Sequence, residues 1–359
     1  MKLRSSDVLM TRFAGVASGM LEMLSELETE VLGDRLDRVR LERPTFIAGL
    51  ARAGTTVVLE LFSRLPEVGT HRYRDFPFLF VPYWWNRYQD RFARRQAPVE
   101  RPHRDRILIT KDSPEAFEEP IWSHFFPFVH SPDAVHRLNA EHAHDEFERF
   151  YGEHLRKILL VRGAGRYVSK GNYNVARVEY LARLLPDARF VVPIRHPVDH
   201  VRSLVQQHEL FTAYHAQDRR VAPYLRAAGH YEFGPQRVPI NLDLASGRRV
   251  LQAWRAGRDD LGYAILWQSV YSHVAELAGG PLRDRISVVR YEDLCASPVT
   301  VLRRLLEFCE LEQGAGALLE RLPPLSARPR VPPGDLDEEI WQETRAIAES
   351  FGYQPRGGH

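Results

Sequence analysis

The sequence predicts an α/β fold, a central parallel β-sheet flanked by helices, and three stretches carry that prediction. Pro44 to Leu65 reads as a short apolar strand, a glycine turn and a helix with Val57, Val58, Leu61, Phe62 and Leu65 on one stripe. Arg189 to Ser203 repeats the arrangement, with a buried strand ending at Arg195 and a helix opened by Pro197, a favoured first-turn residue. Between them, a strand over Arg166 to Lys170 and a helix over Asn174 to Leu185 complete a β-α-β unit, which crosses over right-handed in a parallel sheet. Ligands of open α/β sheets bind at the carboxyl edge, so Lys170 and Arg195 are expected beside the glycine turn.

Taken in order, Ser6 to Leu36 is amphipathic, with Phe13, Val16, Met20, Met23, Leu24, Leu27 and Val31 at helical spacing. Such a stripe is expected to pack on the core. A homodimer contact or a membrane-surface helix is the sharper reading, although its polar face carries acids rather than a basic stripe. After the glycine loop come an aromatic segment from Tyr73 to Tyr88 and an arginine-rich stretch from Arg87 to Arg106. Ile107 to Thr110 reads as a strand, Ser113-Pro-Glu as the opening of a short helix carrying Glu118 and Glu119, and Phe147 to Val161 as a helix. Ala216 to Arg258, rich in Gly, Pro and Arg, reads as a partly helical insertion at the acceptor side. The expected organisation is an N-terminal helix over residues 1–40 and one α/β domain over 41–359, with substrate-contacting insertions near 73–106 and 216–258.

The first loop carries the most chemistry. Gly49 to Thr56 fits the glycine frame of an ATP-binding phosphate loop, but Thr55 stands where lysine belongs. Backbone N–H groups and a helix N-terminus still favour an anion there. The point charge for a β/γ-phosphate is absent, and Arg52 is the nearest cation. Ser203 follows Arg195 by about two helical turns, roughly 9–10 Å along the axis. An arginine fork and a hydroxyl so placed can meet on one phosphate. Their bland alternatives are a structural ion pair and a solvated helix position.

On these motifs the chain resembles the sulfotransferases that use 3′-phosphoadenosine 5′-phosphosulfate (PAPS). Arg52-Ala53-Gly54-Thr55-Thr56 is similar to their 5′-phosphosulfate loop, and Arg195-His-Pro with Ser203 to their 3′-phosphate motif, where Arg-Asp-Pro is commoner. Ile286 to Pro298, a strand running into Tyr-Glu-Asp-Leu, is a third similarity. The resemblance spans roughly Arg43 to Leu311 and implies the phosphate-loop-like sulfotransferase fold, sulfuryl transfer from PAPS as cosubstrate, and no metal. It implies that Arg52 to Thr56 hold the 5′-phosphosulfate, that Arg195 and Ser203 hold the 3′-phosphate, and that Tyr291 lines the nucleotide pocket. Lys170 and Arg52 would steady charge on the transferring group. In many relatives an acid shortly after the loop helix is the base, and Asp75 falls there. His71, Glu118 and Glu119 are the other candidates, and an ion pair with Arg72 or Arg74 is the plain reading of Asp75.

The family modifies sugars, lipids, phenols, steroids and peptides on one scaffold. A glycan or glycolipid hydroxyl is the first expectation for the acceptor and a small phenolic metabolite the second. Aromatic residues Phe76, Phe78, Phe80, Tyr83, Trp84, Trp85 and Tyr88, followed by Arg91, Arg94, Arg95, Arg101, Arg104 and Arg106, would form a wall with a basic rim. Two rivals remain. Ile286 to Glu292, an apolar strand ending in an acid, keeps a nucleotide kinase open, and a nucleotide-binding module without catalysis is the other.

The formal net charge of +2 and 27% charged residues favour neither nucleic acid nor a membrane surface. Two cysteines, Cys295 and Cys309, suit a reducing compartment, and no run is long enough to span a bilayer. Arg12 and Glu22 interrupt the apolar stretch a signal peptide needs, so a cytoplasmic, bacterial protein is expected. Among the 15 histidines, His142-Ala-His144 is the densest cluster, and it lacks a metal-binding frame.

Overall fold

A computed structural model describes residues 3, 5–91, 99–100, 108–322, 325 and 336–356. Its centre is a five-stranded, wholly parallel sheet formed by β1 (Thr45–Ala48), β2 (Val68–Gly69), β5 (Arg166–Gly171), β6 (Arg189–Ile194) and β7 (Ile286–Arg290), in the order β2-β5-β1-β6-β7. A separate antiparallel ribbon pairs β3 (Val99–Glu100) with β4 (Leu108–Ile109). The predicted strand at 107–110 is thus part of this ribbon and not of the main sheet. Its first residue, and Arg94, Arg95, Arg101, Arg104 and Arg106 of the expected basic rim, lie outside the described residues.

Because β1 lies between β5 and β6, the chain from β5 to β6 crosses over β1. All three strands run the same way, so the loop after β1, Lys170 and Arg195 share one carboxyl edge. Alternation along the strands sorts the two faces. Phe46, Tyr167 and Phe190 stack on one side, with ring centroids 5.8–6.3 Å apart. Ile47, Val168 and Val191 face the other, against Leu59 and Phe62 of the loop helix (Thr55–Phe62) and Leu302 and Leu305 of Pro298–Cys309.

Two helical expectations change. The short helix starts at Glu119 rather than at Ser113, running Glu119–Phe125, and residues 111–118 are irregular. The N-terminal segment forms helices Ser5–Val16 and Ser18–Leu32 with the predicted period but the opposite face inward. Leu21, Ser25, Glu28 and Leu32 are buried, whereas Met20, Met23, Leu27 and Val31 are exposed. The polar residues go inward because helix Asp145–Arg162 supplies Lys157, whose Nζ lies 3.4 Å from Glu28 and donates to Ser25 O and Oγ at 2.7 and 2.9 Å. Burial pushes the Glu28 carboxyl up and the Lys157 amine down, each partly offset by the other's charge. A buried pair of this kind is costly to break from one side. No helix among the described residues is long and apolar enough to cross a membrane.

Candidate active site

The loop after β1 is built for close backbone approach. Gly49 has φ +147°, and a Cβ there would lie 3.0 Å from the Pro193 carbonyl. Arg52 (φ +74°) and Gly54 (φ +103°) both adopt left-handed backbone, a conformation that turns successive N–H groups into a concave anion site. Arg52 carries a side chain in that region at a cost of about 1 kcal/mol or more, a strain that clusters at ligand-binding turns. Gly54 leads directly into the loop helix, and its carbonyl accepts from Val58 at 3.2 Å. A Cβ on Gly54 would meet Tyr291 Cδ2 at 2.8 Å, so only glycine lets that ring lie on the loop. From below, His200 donates from Nε2 to the Ala51 carbonyl at 2.8 Å. Burial holds this imidazole down at about 3, so it is a neutral strut.

Most of the predicted phosphate ligands come together on this edge. Arg52 Nε donates to Ser203 Oγ at 3.3 Å, joining the loop to helix Pro197–Gln217. Lys170 Nζ donates to Thr56 Oγ1 at 3.4 Å. The Arg195 guanidinium sits 5.2 Å over the Tyr291 ring, the ring that also covers Gly54. Ala53 and Thr55 are buried within the loop. Burial lowers the Arg195 pKa, a desolvation that an incoming dianion would relieve.

Sequence reasoning missed Arg356. It pairs with Asp199 on the first turn of the Arg195 helix, and its pKa is lowered by burial and by the charge of Arg195. The C-terminal segment is held there by Tyr353, whose hydroxyl donates to the Ile194 carbonyl at 3.2 Å and to Glu292 at 2.9 Å. Glu292 also accepts the His196 N–H at 2.9 Å. The acid that a kinase would need for magnesium therefore ties two loops together.

The carboxylates sort differently from expectation. Asp75 is fully buried, and its oxygens accept from Arg162 Nη2 at 2.6 and 2.5 Å, from Asn86 Nδ2 at 2.8 Å and from the Arg72 N–H at 2.7 Å. With every lone-pair direction engaged and no water access, this carboxylate is a structural anchor rather than a base. Its ion-pair partner is Arg162, not Arg72 or Arg74. Glu118 is buried beneath the Tyr151 and Tyr167 hydroxyls, and burial raises its pKa. Glu119 is opposed by burial, yet Arg177 and His130 hold it down at about 2. His71 stacks on His154, with Nε2 atoms 2.9 Å apart, and burial lowers it to about 4. None of these three lines the cavity described next.

Glu115 does. Its carboxylate lies 3.7 Å from Lys170 Nζ, accepts from the Tyr73 hydroxyl and from the Ala116 N–H at 2.8 Å, and forms part of the wall of a cavity of about 200 Å³. Tyr73, Phe76, Phe117 and Tyr224 supply most of its aromatic surface. The only sequence signal was the Ser-Pro-Glu turn, which read as a helix start. Of the expected aromatic wall, Phe76 reaches the cavity. Phe80 packs into the core, Phe78 packs on Trp85, and Trp85 stacks on Tyr88. The insertion at 216–258 contributes Tyr224, Leu225, Ala228 and His230 to the same wall.

Among the described residues no group of three or more His, Cys, Asp or Glu side chains is disposed to hold a metal ion. His144 instead caps helix Asp145–Arg162, its Nδ1 accepting from the Phe147 N–H at 3.3 Å.

Comparison with known proteins adds an independent line. A profile described as "Sulfotransferase family" matches residues 44–238. Among solved structures, sulfotransferase STF9 from Mycobacterium avium is similar over 97% of this chain and 87% of its own, at 15% identity and a TM-score of 0.53. Sulfotransferase STF1 from Mycobacterium tuberculosis H37Rv is similar over 91% and 83%, at 14% identity and a TM-score of 0.48. A comparison with curated protein sequences found no match.

Proposed function

The chain belongs to the sulfotransferase family, and we propose that it transfers a sulfuryl group from PAPS to an acceptor hydroxyl, with Glu115 in place of Asp75 as the base. One observation carries this reading. Glu115 pairs on one side with Lys170, the β5 lysine that donates to Thr56 of the loop helix, and on the other side lines the cavity. A base so placed meets a hydroxyl in the cavity within reach of a group held on the loop.

The residues divide the work. The N–H groups of the loop from Arg52 to Thr56 and the N-terminus of the loop helix bind the 5′-phosphosulfate, and the Tyr291 ring covers the nucleotide. Arg195 and Ser203, with Arg356 close by, take the 3′-phosphate. In the transfer, the acceptor oxygen forms its bond to sulfur as the bond from sulfur to the 5′-phosphate oxygen breaks. Glu115 accepts the hydroxyl proton, and Lys170 and Arg52 offset the charge that collects on the departing phosphate. Thr55 in place of lysine suits a phosphosulfate, which carries less charge than a triphosphate, whose charge lysine and magnesium must offset.

The reading is tested by calorimetry with adenosine 3′,5′-bisphosphate, which should bind without Mg²⁺ and far more tightly than 5′-AMP or ATP. Equal affinity for 5′-AMP would remove the 3′-phosphate site. Tight, magnesium-dependent ATP binding would favour a kinase, and bisphosphate binding without transfer to any acceptor would favour a non-catalytic module.

A further inference from the structure

The wall of the Glu115 cavity is charged in one sense. Asp7, on the first turn of helix Ser5–Val16, joins Glu115 on it, and no lysine or arginine stands among the described residues that line it. Asp7 keeps accessible surface, and its charge reaches a neighbouring wall residue, since burial and then Asp7 push the Tyr224 phenol above its usual pKa. Glu115 has Lys170 at 3.7 Å, but Lys170 also reaches Thr56 on the donor side. The imidazole on the wall, His230, has its Nδ1 3.8 Å from Glu232, so any positive charge it takes up is met by that carboxylate.

Between the two carboxylates the surface is aromatic. Tyr73, which donates to Glu115, meets Phe117 edge-on at 5.7 Å, Phe117 stacks on Phe76 at 5.3 Å, and Phe76 meets Tyr224 at 5.9 Å. Aromatic rings attract a cation through their quadrupole, and most strongly where water is excluded. An ammonium group gives up much hydration on entering such a space, and a carboxylate beside the rings offsets that loss. An anionic acceptor would instead meet Asp7 and Glu115 with no fixed cation on the wall. A sugar chain, with hydroxyls all round, would leave most of them unpaired against Phe76, Phe117 and Met10. The cavity, at about 200 Å³, falls below the roughly 300–1,000 Å³ of drug-sized sites, so its occupant is small.

We infer that the cavity takes a small amino alcohol with a protonated or quaternary nitrogen, the nitrogen held by Asp7 and the aromatic surface and the hydroxyl by Glu115. The first helix thereby selects the acceptor by charge. That the hydroxyl is the group modified rests on the sulfotransfer reading above, whereas recognition of a cation at Asp7 does not.

Binding is therefore the readout, measured by calorimetry on the full chain in the presence of adenosine 3′,5′-bisphosphate. The probes are trans-4-(aminomethyl)cyclohexylmethanol, protonated at pH 7 like a lysine side chain, and trans-1,4-cyclohexanedimethanol, which has a hydroxyl in place of the ammonium. The amino alcohol should bind about tenfold more tightly, the worth of one hydrogen bond to a charged group. Asp7→Asn should bring it to the affinity of the diol, Asp7→Glu should keep its advantage, and Ala228→Leu, which narrows the cavity, should weaken it in a chain of unchanged unfolding midpoint. Equal binding of the two probes, no binding of either, an advantage that survives Asp7→Asn, or binding untouched by Ala228→Leu would overturn the inference. Failure of the bisphosphate to bind would instead count against the sulfotransfer reading, and the two probes, compared without it, would still decide whether Asp7 reads a cation.

Discussion

Of the buried carboxylates that follow the phosphate loop, Asp75 and Glu115 form a contrast that separates architecture from chemistry. At the first, Asp75 receives Arg162 on both oxygens, Asn86 on one and a backbone N–H on the other, with no exposed surface. At the second, Glu115 is nearly as buried and also has a cation and a hydroxyl partner, yet it lines a cavity. Burial and a cation alone do not make a catalytic acid. What separates the two is the space beside them: Glu115 lines a cavity and Asp75 does not.

The sharpest way to break this contrast is to neutralise each acid in turn. With PAPS and an acceptor found by screening hydroxyl compounds, Glu115→Gln should lower turnover by roughly 10²–10⁴, the usual size of a general-base contribution, and leave the bisphosphate Kd unchanged. Retained turnover in Glu115→Gln, together with its loss in a folded Asp75→Asn protein, would return the role to Asp75.

Removing the cations should act on stability at one centre and on binding at the other. Arg162→Met strands Asp75 without its counter-charge, which should cost about 3–5 kcal/mol in a urea titration. A loss below about 1 kcal/mol, the scale of an exposed pair, would mean the Asp75 centre is not the anchor described here. At the loop edge, Arg195→Ala should weaken bisphosphate binding by about 1.5–3 kcal/mol, as for a hydrogen bond to a charged group, with little change in the unfolding midpoint. An unchanged Kd there would make Arg195 structural.

A smaller effect should come from pH, and it sharpens the structural side. His71, beside the Asp75 centre, is lowered from 6.5 to about 4 by burial. The unfolded chain therefore binds a proton below pH 6.5 that the folded chain refuses until about pH 4, so stability is present above that window and declines as pH falls through it. Between pH 6.5 and 5.5 one such group costs about 1 kcal/mol. Substituting His71→Leu should lower the slope of that part of the stability profile by one proton's share, the share of other buried imidazoles such as His200 remaining, and an unaltered slope would show that His71 is not among the groups responsible.

The phosphate edge was legible in the sequence because each part of it is local. Gly49, Arg52 and Gly54 lie within one turn, and Arg195 at the end of a strand is followed by Ser203 in the second turn of the next helix, so their spacing was readable along the chain. Lys170 needed one further step, the common direction of parallel strands. Glu115 was not legible, since its meaning comes from Lys170 and Tyr73, neighbours that no local pattern connects to it. For Asp75 the position after the loop helix is local information, whereas its saturation by Arg162, Asn86 and the Arg72 N–H is not. The first helices show the limit of periodicity, which correctly gives the period of Met20, Met23, Leu27 and Val31 but not which side faces in. Lys157, far along the chain, settled that by making Glu28 and Ser25 acceptable inside.

By itself, then, the sequence determined four of the five strands of the main sheet, the order of the two loop motifs and the absence of the loop lysine, because backbone geometry, helix period and turn chemistry act over a few residues. Tertiary structure alone decided which acid meets a cavity, which histidine props the loop, and that Arg356 pairs with Asp199 within range of the Arg195 charge. Those outcomes depend on desolvation and pairing between groups far apart in the chain, and such energies exist only once the core has brought the groups together.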